Sequence, residues 1–71
     1  MKVPRDLSGD EVSRALRRLG FVEVRQTGSQ RRLTKGPHHA SVPMHSVLRV
    51  GTLKSILAQA GISLDDLLDN L

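Results

Sequence analysis

The sequence predicts an α+β domain in which two main helices cover one face of a three-stranded antiparallel sheet. Two observations support this fold class: an amphipathic helical period at each end of the chain, and alternating strand-like segments joined by glycine-containing bends between them. Because each helix has one apolar stripe and the sheet has one apolar face, we expect two packed layers. The second face of the sheet is then left open.

The first helix is predicted to start at Ser8 and to stop before Gly20. Ser8 and Glu11 have the spacing of a capping box, and Gly20 suits the left-handed residue that ends a helix. The apolar stripe between them consists of Val12, Ala15, Leu16 and Leu19.

Three strands are predicted next, in the segments FVEVRQ, RRLTK and HASVPM. A two-residue turn at Gly28-Ser29 would pair Val24 with Leu33 and Arg25 with Arg32, so that apolar residues share one face. Gly36-Pro37 breaks the second strand. The third strand contains Pro43, which lacks an amide donor, and is therefore expected at an edge, with Ala40, Val42 and Met44 facing inward.

The C-terminal part of the chain predicts two further helices. Thr52 is the expected N-cap of the first, and Gly61 ends it, with Leu53, Ile56, Leu57 and Ala60 forming its stripe. Ser63 starts a short acidic helix whose apolar side comprises Leu64, Leu67, Leu68 and Leu71.

Composition limits the classes of function. Seventy-one residues form one domain spanning 1–71, too small for a deep private substrate cavity. The chain has no cysteine and no segment resembling a signal peptide or membrane span, so a cytoplasmic protein is expected. The net charge is +4, and no acidic residue occurs between Val24 and Leu64. A basic middle of this kind fits either a solvated surface or a surface that binds a polyanion.

The predicted open face carries the candidate functional residues. Arg25, Gln30, Arg32 and Thr34 lie there by alternation, and His39, Ser41 and His45 are candidates from the third strand. Phe21 is the only aromatic residue and follows the helix-ending Gly20, so we expect it in the core. Recognition of single strands by base stacking is therefore disfavoured.

The three histidines do not predict a metal site. His38 and His39 are adjacent in a predicted strand and point to opposite faces, and no thiolate or neighbouring carboxylate completes a ligand set. A role for His39 or His45 as an auxiliary acid or base is easier to support, because imidazole titrates near neutrality.

Three segments together resemble the HicA-type toxins, small ribonucleases of bacterial toxin-antitoxin pairs. These are LSGDEVSRALRRLGF, RQTGSQRRL and VPMHSVLRVGTLKSILAQAGIS, which cover nearly the whole chain. The resemblance implies a fold like that of double-stranded-RNA-binding domains, metal-independent cleavage of mRNA that arrests translation and growth, and a HicB-type antitoxin that covers the active face. No cofactor is expected, and no membrane partner is expected because no apolar segment is long enough to span a membrane. The residues expected to bind RNA are Arg25, Gly28, Ser29, Arg31, Arg32, Lys35 and Lys54, with Arg49 extending the basic track.

The catalytic residue of the family is the histidine of a Gly-Ser-His motif, and here Gln30 occupies its position. A glutamine amide neither accepts nor donates a proton near neutral pH, so the chain is expected to be inactive or impaired. Either the substitution was introduced to allow production of a toxic enzyme, or this is a naturally altered member. The first is favoured because the rest of the motif is intact. The alternative function is a non-catalytic module that binds RNA or antitoxin.

Overall fold

A computed structural model describes residues 6–71 of the chain. The elements follow the order helix, three strands, helix, helix, and the strands form one antiparallel sheet in the order β1-β2-β3. The predicted α+β fold class is confirmed. The elements are α1 (Gly9–Arg18), β1 (Val22–Thr27), β2 (Gln30–Lys35), β3 (His38–Pro43), α2 (Val50–Ala60) and α3 (Leu64–Leu68).

Helix α1 begins at the predicted capping box. The Ser8 hydroxyl accepts a hydrogen bond from the Glu11 N–H at 3.1 Å, and the Glu11 carboxylate accepts one from the Ser8 N–H at 3.1 Å. Gly20, just after the helix, has a φ of 103°, as expected for a glycine stop. The predicted stripe is confirmed: three of its residues, Val12, Ala15 and Leu16, are fully buried.

The sheet has two different faces. The helix face, to which Leu33, Ala40 and Val42 belong, is buried under α1 and α2. The open face is formed by the alternate residues of the same strands, and none of the helices of residues 6–71 lies over it. Together with α1, α2 and the fully buried Leu67 of α3, the helix face makes a single small core.

The register of the first hairpin is partly as predicted. The two-residue turn at Gly28-Ser29 and the pairing of Arg25 with Arg32 are confirmed, but Leu33 pairs with Glu23. The predicted pairing of Val24 with Leu33 is wrong, because a β-bulge inserts Val24 as an extra residue and leaves it 54% exposed. The bulge turns Glu23 to the helix face, where its carboxylate lies 2.6 Å from the Arg31 Nε.

Strand β3 lies at an edge, as its proline predicts, and α2 packs along it. The Gln59 side chain of α2 accepts a hydrogen bond from the Ser41 N–H at 3.0 Å and so satisfies a donor on the free edge. Met44, predicted to face inward, is half-buried and lies 3.9 Å from the Ser13 hydroxyl.

Helix α2 begins earlier than predicted. Its N-cap is Arg49, which makes no side-chain capping bond, and not Thr52. The chain direction is set just before the helix, because the buried Leu48 donates its N–H to the Leu7 carbonyl at 2.7 Å. Tertiary packing thus starts this helix without a local capping signal. Its end at Gly61, with a φ of 68°, is as predicted.

The short helix α3 has the predicted cap and most of the predicted packing. The Ser63 hydroxyl and the Asp66 carboxylate form a second capping box. Leu67 is fully buried and Leu64 is half-buried against the core, but Leu71 is 45% exposed, so its predicted place on the apolar side is wrong. The helix ends at Leu68, three residues before Leu71, and the chain no longer follows the helical period there.

Candidate nucleic-acid interface

Two rows of residues cross the open face near the first hairpin. Arg25 of β1 and Ser41 of β3 both pair with Arg32 of β2, which makes one row. Thr27 and Pro43 both pair with Gln30, which makes the next row. A shallow depression of about 360 Å³ lies over these rows and is lined by Arg25, Thr27, Gln30, Arg32 and Ser41.

The Gly28-Ser29 turn positions Gln30 at the start of β2. Gly28 has a φ of 57° and no non-glycine residue among those described has a positive φ, which fits a type II′ turn with glycine first. The Ser29 carbonyl accepts a hydrogen bond from the Met44 N–H at 2.6 Å. The turn is therefore held by β3 as well as by its own hairpin, and Gln30 is presented on the open face.

The two arginines of the depression lie directly opposite each other on neighbouring strands. Within residues 6–71, neither Arg25 nor Arg32 forms an ion pair. Like charges directly opposite each other on neighbouring strands destabilise a sheet. The depression is consequently a place where an anion would be bound favourably.

Arg31 lies on the other face of the sheet. Its side chain is 17% exposed and is flanked by the Glu23 carboxylate at 2.6 Å and the Asp10 carboxylate at 3.5 Å. The Nε of Arg31 lacks the geometry of a hydrogen bond to Glu23, so the short contact is an ion pair only. The structure does not bring Arg31 together with Arg25 and Arg32, and its predicted contact with RNA gains no support from this placement.

Two other predicted RNA-binding residues also lie away from the depression. The Lys35 ammonium donates a hydrogen bond to the Leu19 carbonyl at 2.7 Å, at the C-terminal end of α1, where a cation complements the helix dipole. Lys54 is exposed on α2, next to Leu53, which packs in the core. Gly28 and Ser29, in contrast, adjoin the depression through Gln30.

The histidines do not meet at position 30. His39 pairs with Thr34 on the open face and is two rows, about 14 Å along the strands, from the row of Gln30. His45 is exposed in the loop after β3, and neither residue lines the depression. His38 lies on the helix face beside Gly61. Among the residues described, no three histidine or acidic side chains are grouped closely enough to hold a metal ion.

The lining of the depression determines its chemistry. Two guanidinium groups, two hydroxyl groups and one amide can all donate hydrogen bonds to an anion. The five lining residues include neither imidazole nor carboxylate, so they supply no group that exchanges a proton near neutral pH. The lining as it stands is suited to binding.

Thr27 was not among the candidates predicted from the sequence, because the first strand was expected to end at Gln26. The signal was nevertheless present. A two-residue turn at Gly28-Ser29 requires Thr27 and Gln30 to be the closing pair of the hairpin, which places both side chains on the same face.

Comparisons with known proteins bear on the family of the chain. In residues 6–71, no helix is long and apolar enough to cross a membrane. A search of curated proteins found no match. The sequence does match the family described as the HicA toxin of bacterial toxin-antitoxin systems over residues 9–62, more than half of the 71 residues. The matched range runs from α1 to just beyond α2 and includes the whole depression. The chain therefore belongs to the HicA toxin family.

Proposed function

We propose that this toxin acts on RNA: its open face binds mRNA, and position 30 is the point at which the family's cleavage chemistry takes place. Membership of the family makes the chain the toxin of a toxin-antitoxin pair. The proposal adds a metal-independent ribonuclease activity in the cytoplasm, which arrests translation and growth. With Gln30 in place, that activity is impaired.

The observation that carries this proposal is the position of Gln30 in the depression. Gln30 lines the depression together with two arginines that form no ion pair within residues 6–71, and the turn that precedes it is held by β3. Guanidinium groups are the usual protein partners of backbone phosphates, and serine or threonine hydroxyls can contact the 2′-OH of RNA. A side chain at position 30 would thus lie beside a bound RNA backbone.

The chemistry at position 30 depends on the residue type. Histidine there could accept the proton of a ribose 2′-OH or donate a proton to the leaving oxygen. Glutamine has a similar length and can still hydrogen bond to the same oxygens, but it cannot exchange the proton. Loss of a general acid or base lowers the rate by about 10²- to 10⁴-fold, and we expect this chain to be impaired to that extent.

The test is to replace Gln30 with histidine. We expect Gln30→His to cleave RNA about 10²- to 10⁴-fold faster than the present chain, to arrest growth when expressed, and to be insensitive to EDTA. Cleavage of a labelled RNA, measured with and without EDTA, together with growth curves after induction, would show these effects.

The matched control is Gln30→Ala, which removes the amide without supplying an imidazole. It should be as inactive as the present chain while retaining its thermal stability, because Gln30 is exposed. The catalytic proposal fails if Gln30→His leaves RNA intact and cells growing. EDTA-sensitive cleavage would instead contradict metal independence.

The second candidate function is a non-catalytic module that binds RNA or antitoxin. It is favoured by one observation, the lack of a proton-transfer group among the five residues that line the depression. If the chain is such a module, the present chain binds RNA or antitoxin as tightly as Gln30→His does, and Gln30→His does not cleave RNA. Binding and cleavage assays on the same two proteins therefore separate the two functions.

The antitoxin is proposed to cover the open face. The toxin family implies an antitoxin partner, and a HicB-type protein presenting acidic side chains would neutralise Arg25 and Arg32. We expect copurification of such a partner to prevent RNA binding. An antitoxin that leaves RNA binding unchanged would contradict coverage of this face.

A further inference from the structure

We propose that Arg25 and Arg32 form a clamp for one phosphodiester group of the RNA backbone, and that the clamp lowers the stability of the free protein. The inference rests on the proposed function, since it names the group that the open face would hold next to position 30. It also adds a property that RNA binding alone does not require, a stability cost that is relieved by an anion.

The two arginines lie close together on the open face. Arg25 and Arg32 are direct partners on neighbouring antiparallel strands, so their Cβ atoms are about 4.5–5.5 Å apart and both side chains rise from the same face. Both residues are exposed and both line the depression. Two long side chains anchored this closely can direct their guanidinium groups at a single ligand.

The acidic residues near the two arginines are engaged by other cations. The nearest acidic residue in the sequence, Glu23, is turned to the helix face by the bulge and is paired with Arg31. Asp10 is paired with Arg14 and also contacts Arg31. Across the part of the chain that the structure describes, no carboxylate is within ion-pair distance of Arg25 or Arg32. Their mutual repulsion is therefore uncompensated until an anion binds.

The form of the site favours a phosphate group. A phosphodiester presents two non-bridging oxygens, one for each guanidinium group, and charge-assisted bonds of this type are among the stronger hydrogen bonds in proteins. The Ser41 hydroxyl ends the same row and can donate to the same oxygens. Gln30 belongs to the adjacent row, about 7 Å away along β2, a spacing that would bring the attached ribose towards position 30.

The experiment compares Arg25→Gln and Arg32→Gln with Arg17→Gln. Each change removes one positive charge from an exposed arginine, but Arg17 lies in the last turn of α1, where a cation is favourable. Thermal unfolding is measured in sodium chloride and in sodium phosphate at equal ionic strength. Affinity for a short single-stranded RNA is measured over a series of salt concentrations.

At low salt without phosphate, we expect Arg25→Gln and Arg32→Gln to melt a few degrees above the present chain, and Arg17→Gln to melt at or below it. Phosphate should raise the melting temperature of the present chain and of Arg17→Gln by more than it raises that of either clamp variant. Any general stabilisation by phosphate is common to all four proteins and cancels in this comparison. Each clamp variant should lower the magnitude of the salt slope of RNA binding by up to about 0.7, the contribution of the single phosphate that both arginines hold.

The clamp is overturned if either clamp variant melts below the present chain, fails to fold, or keeps the full response to phosphate. Its failure is distinguishable from failure of the proposed function. Unchanged RNA affinity and salt slope in both variants would reject the clamp while leaving RNA binding intact. A different result is a protein that responds to phosphate through both arginines and yet fails to bind RNA. That result would support the anion site and contradict RNA as its ligand.

Discussion

Arg31 is mostly buried, with 17% of its side chain exposed, whereas its neighbour Arg32 is exposed on the open face. Alternation along β2 separates them, because successive side chains of a strand point to opposite faces. Arg31 joins α1 to the sheet through Asp10 and meets Glu23 of β1. The same residue type thus has a structural role at one position and is available to a ligand at the next.

This difference predicts opposite effects for the same substitution at the two positions. We expect Arg31→Gln to lower the free energy of unfolding by about 1–3 kcal/mol, because it leaves the Glu23 carboxylate without its partly buried partner and removes one of the two partners of Asp10. RNA affinity, measured at fixed salt on the folded protein, should change little. Chemical denaturation and an RNA titration would check both parts.

Arg32→Gln is the matched control, with the same change in charge one residue away. It should weaken RNA binding without destabilising the fold. A result in which Arg31→Gln is as stable as the present chain but binds RNA as poorly as Arg32→Gln would show that Arg31 reaches the ligand after all.

At the level of elements, the start of α1 is docked on the end of β3. The Gly9 N–H donates a hydrogen bond to the His45 carbonyl at 2.9 Å. A Cβ atom built on Gly9 would overlap the carbonyl oxygen of Pro43, so the helix can approach the strand this closely only with glycine. Since Pro43 pairs with Gln30, this contact also supports the row that contains position 30.

Gly9→Ala is therefore expected to destabilise the protein by about 1–3 kcal/mol, the usual cost of overpacking a close contact. The measurement is the free energy of unfolding from denaturant titration. Alanine has a higher helix propensity than glycine, so helix propensity alone would predict that this substitution stabilises the protein. The close contact predicts the opposite change in the free energy of unfolding.

Gly51→Ala provides the control for that prediction. Gly51 lies in the first turn of α2, and no atom is within 4 Å of a Cβ built there. Alanine should stabilise this position by about 0.5–1 kcal/mol. If both substitutions stabilise the protein to the same extent, the docking of α1 on β3 is looser than the contact at Gly9 indicates.

For the whole molecule, the distribution of cations is more informative than the net charge of +4. Part of the positive charge is engaged within the fold: Arg31 with Glu23 and Asp10, Arg18 with the Asn70 carbonyl at 3.0 Å, and Lys35 with the Leu19 carbonyl. Arg25 and Arg32 remain on the open face. The electrostatic footprint for a polyanion is accordingly smaller than the sequence indicates.

The salt dependence of RNA binding measures this footprint. Each phosphate neutralised on a single strand contributes about −0.7 to the slope of log K against log salt concentration. We expect a slope of about −0.7 to −2.1 for the present chain, corresponding to the one phosphate held by Arg25 and Arg32 with up to two further contacts from Arg49 and Lys54. Fluorescence anisotropy with a labelled RNA at several salt concentrations gives the slope. A markedly steeper slope would mean that Arg31 and Lys35 also contact the backbone.

Much of the fold could be predicted because its signals are local. The capping boxes at Ser8 and Ser63, the glycine stops and the two-residue turn all depend on residues within four positions of one another. The pairing of Arg25 with Arg32 followed from the turn alone. These contacts form between sequence neighbours, so spacing is sufficient to identify them.

The errors arose where distant residues decide the conformation. The bulge at Val24 allows Glu23 to meet Arg31, and the early start of α2 at Val50 follows the anchoring of Leu48 to Leu7. Neither interaction produces a periodic pattern in the sequence from which it could be predicted. The sequence correctly placed Arg25, Gln30 and Arg32 on one face. The bulge lies between Glu23 and Arg25, so it does not change the register between Arg25 and the turn.

The sequence by itself determined the order of the elements, the open sheet face and the presence of glutamine at position 30. Hydrophobic period, capping and turn chemistry act over a few residues and can be read directly. Only the tertiary structure decided which basic residues are available, because engagement of Arg31 and Lys35 depends on carboxylates and carbonyls brought near by folding. It also left Arg25 and Arg32 beside position 30 with no ion-pair partner in the described part of the chain, since the bulge directs Glu23, the nearest carboxylate in the sequence, to the opposite face.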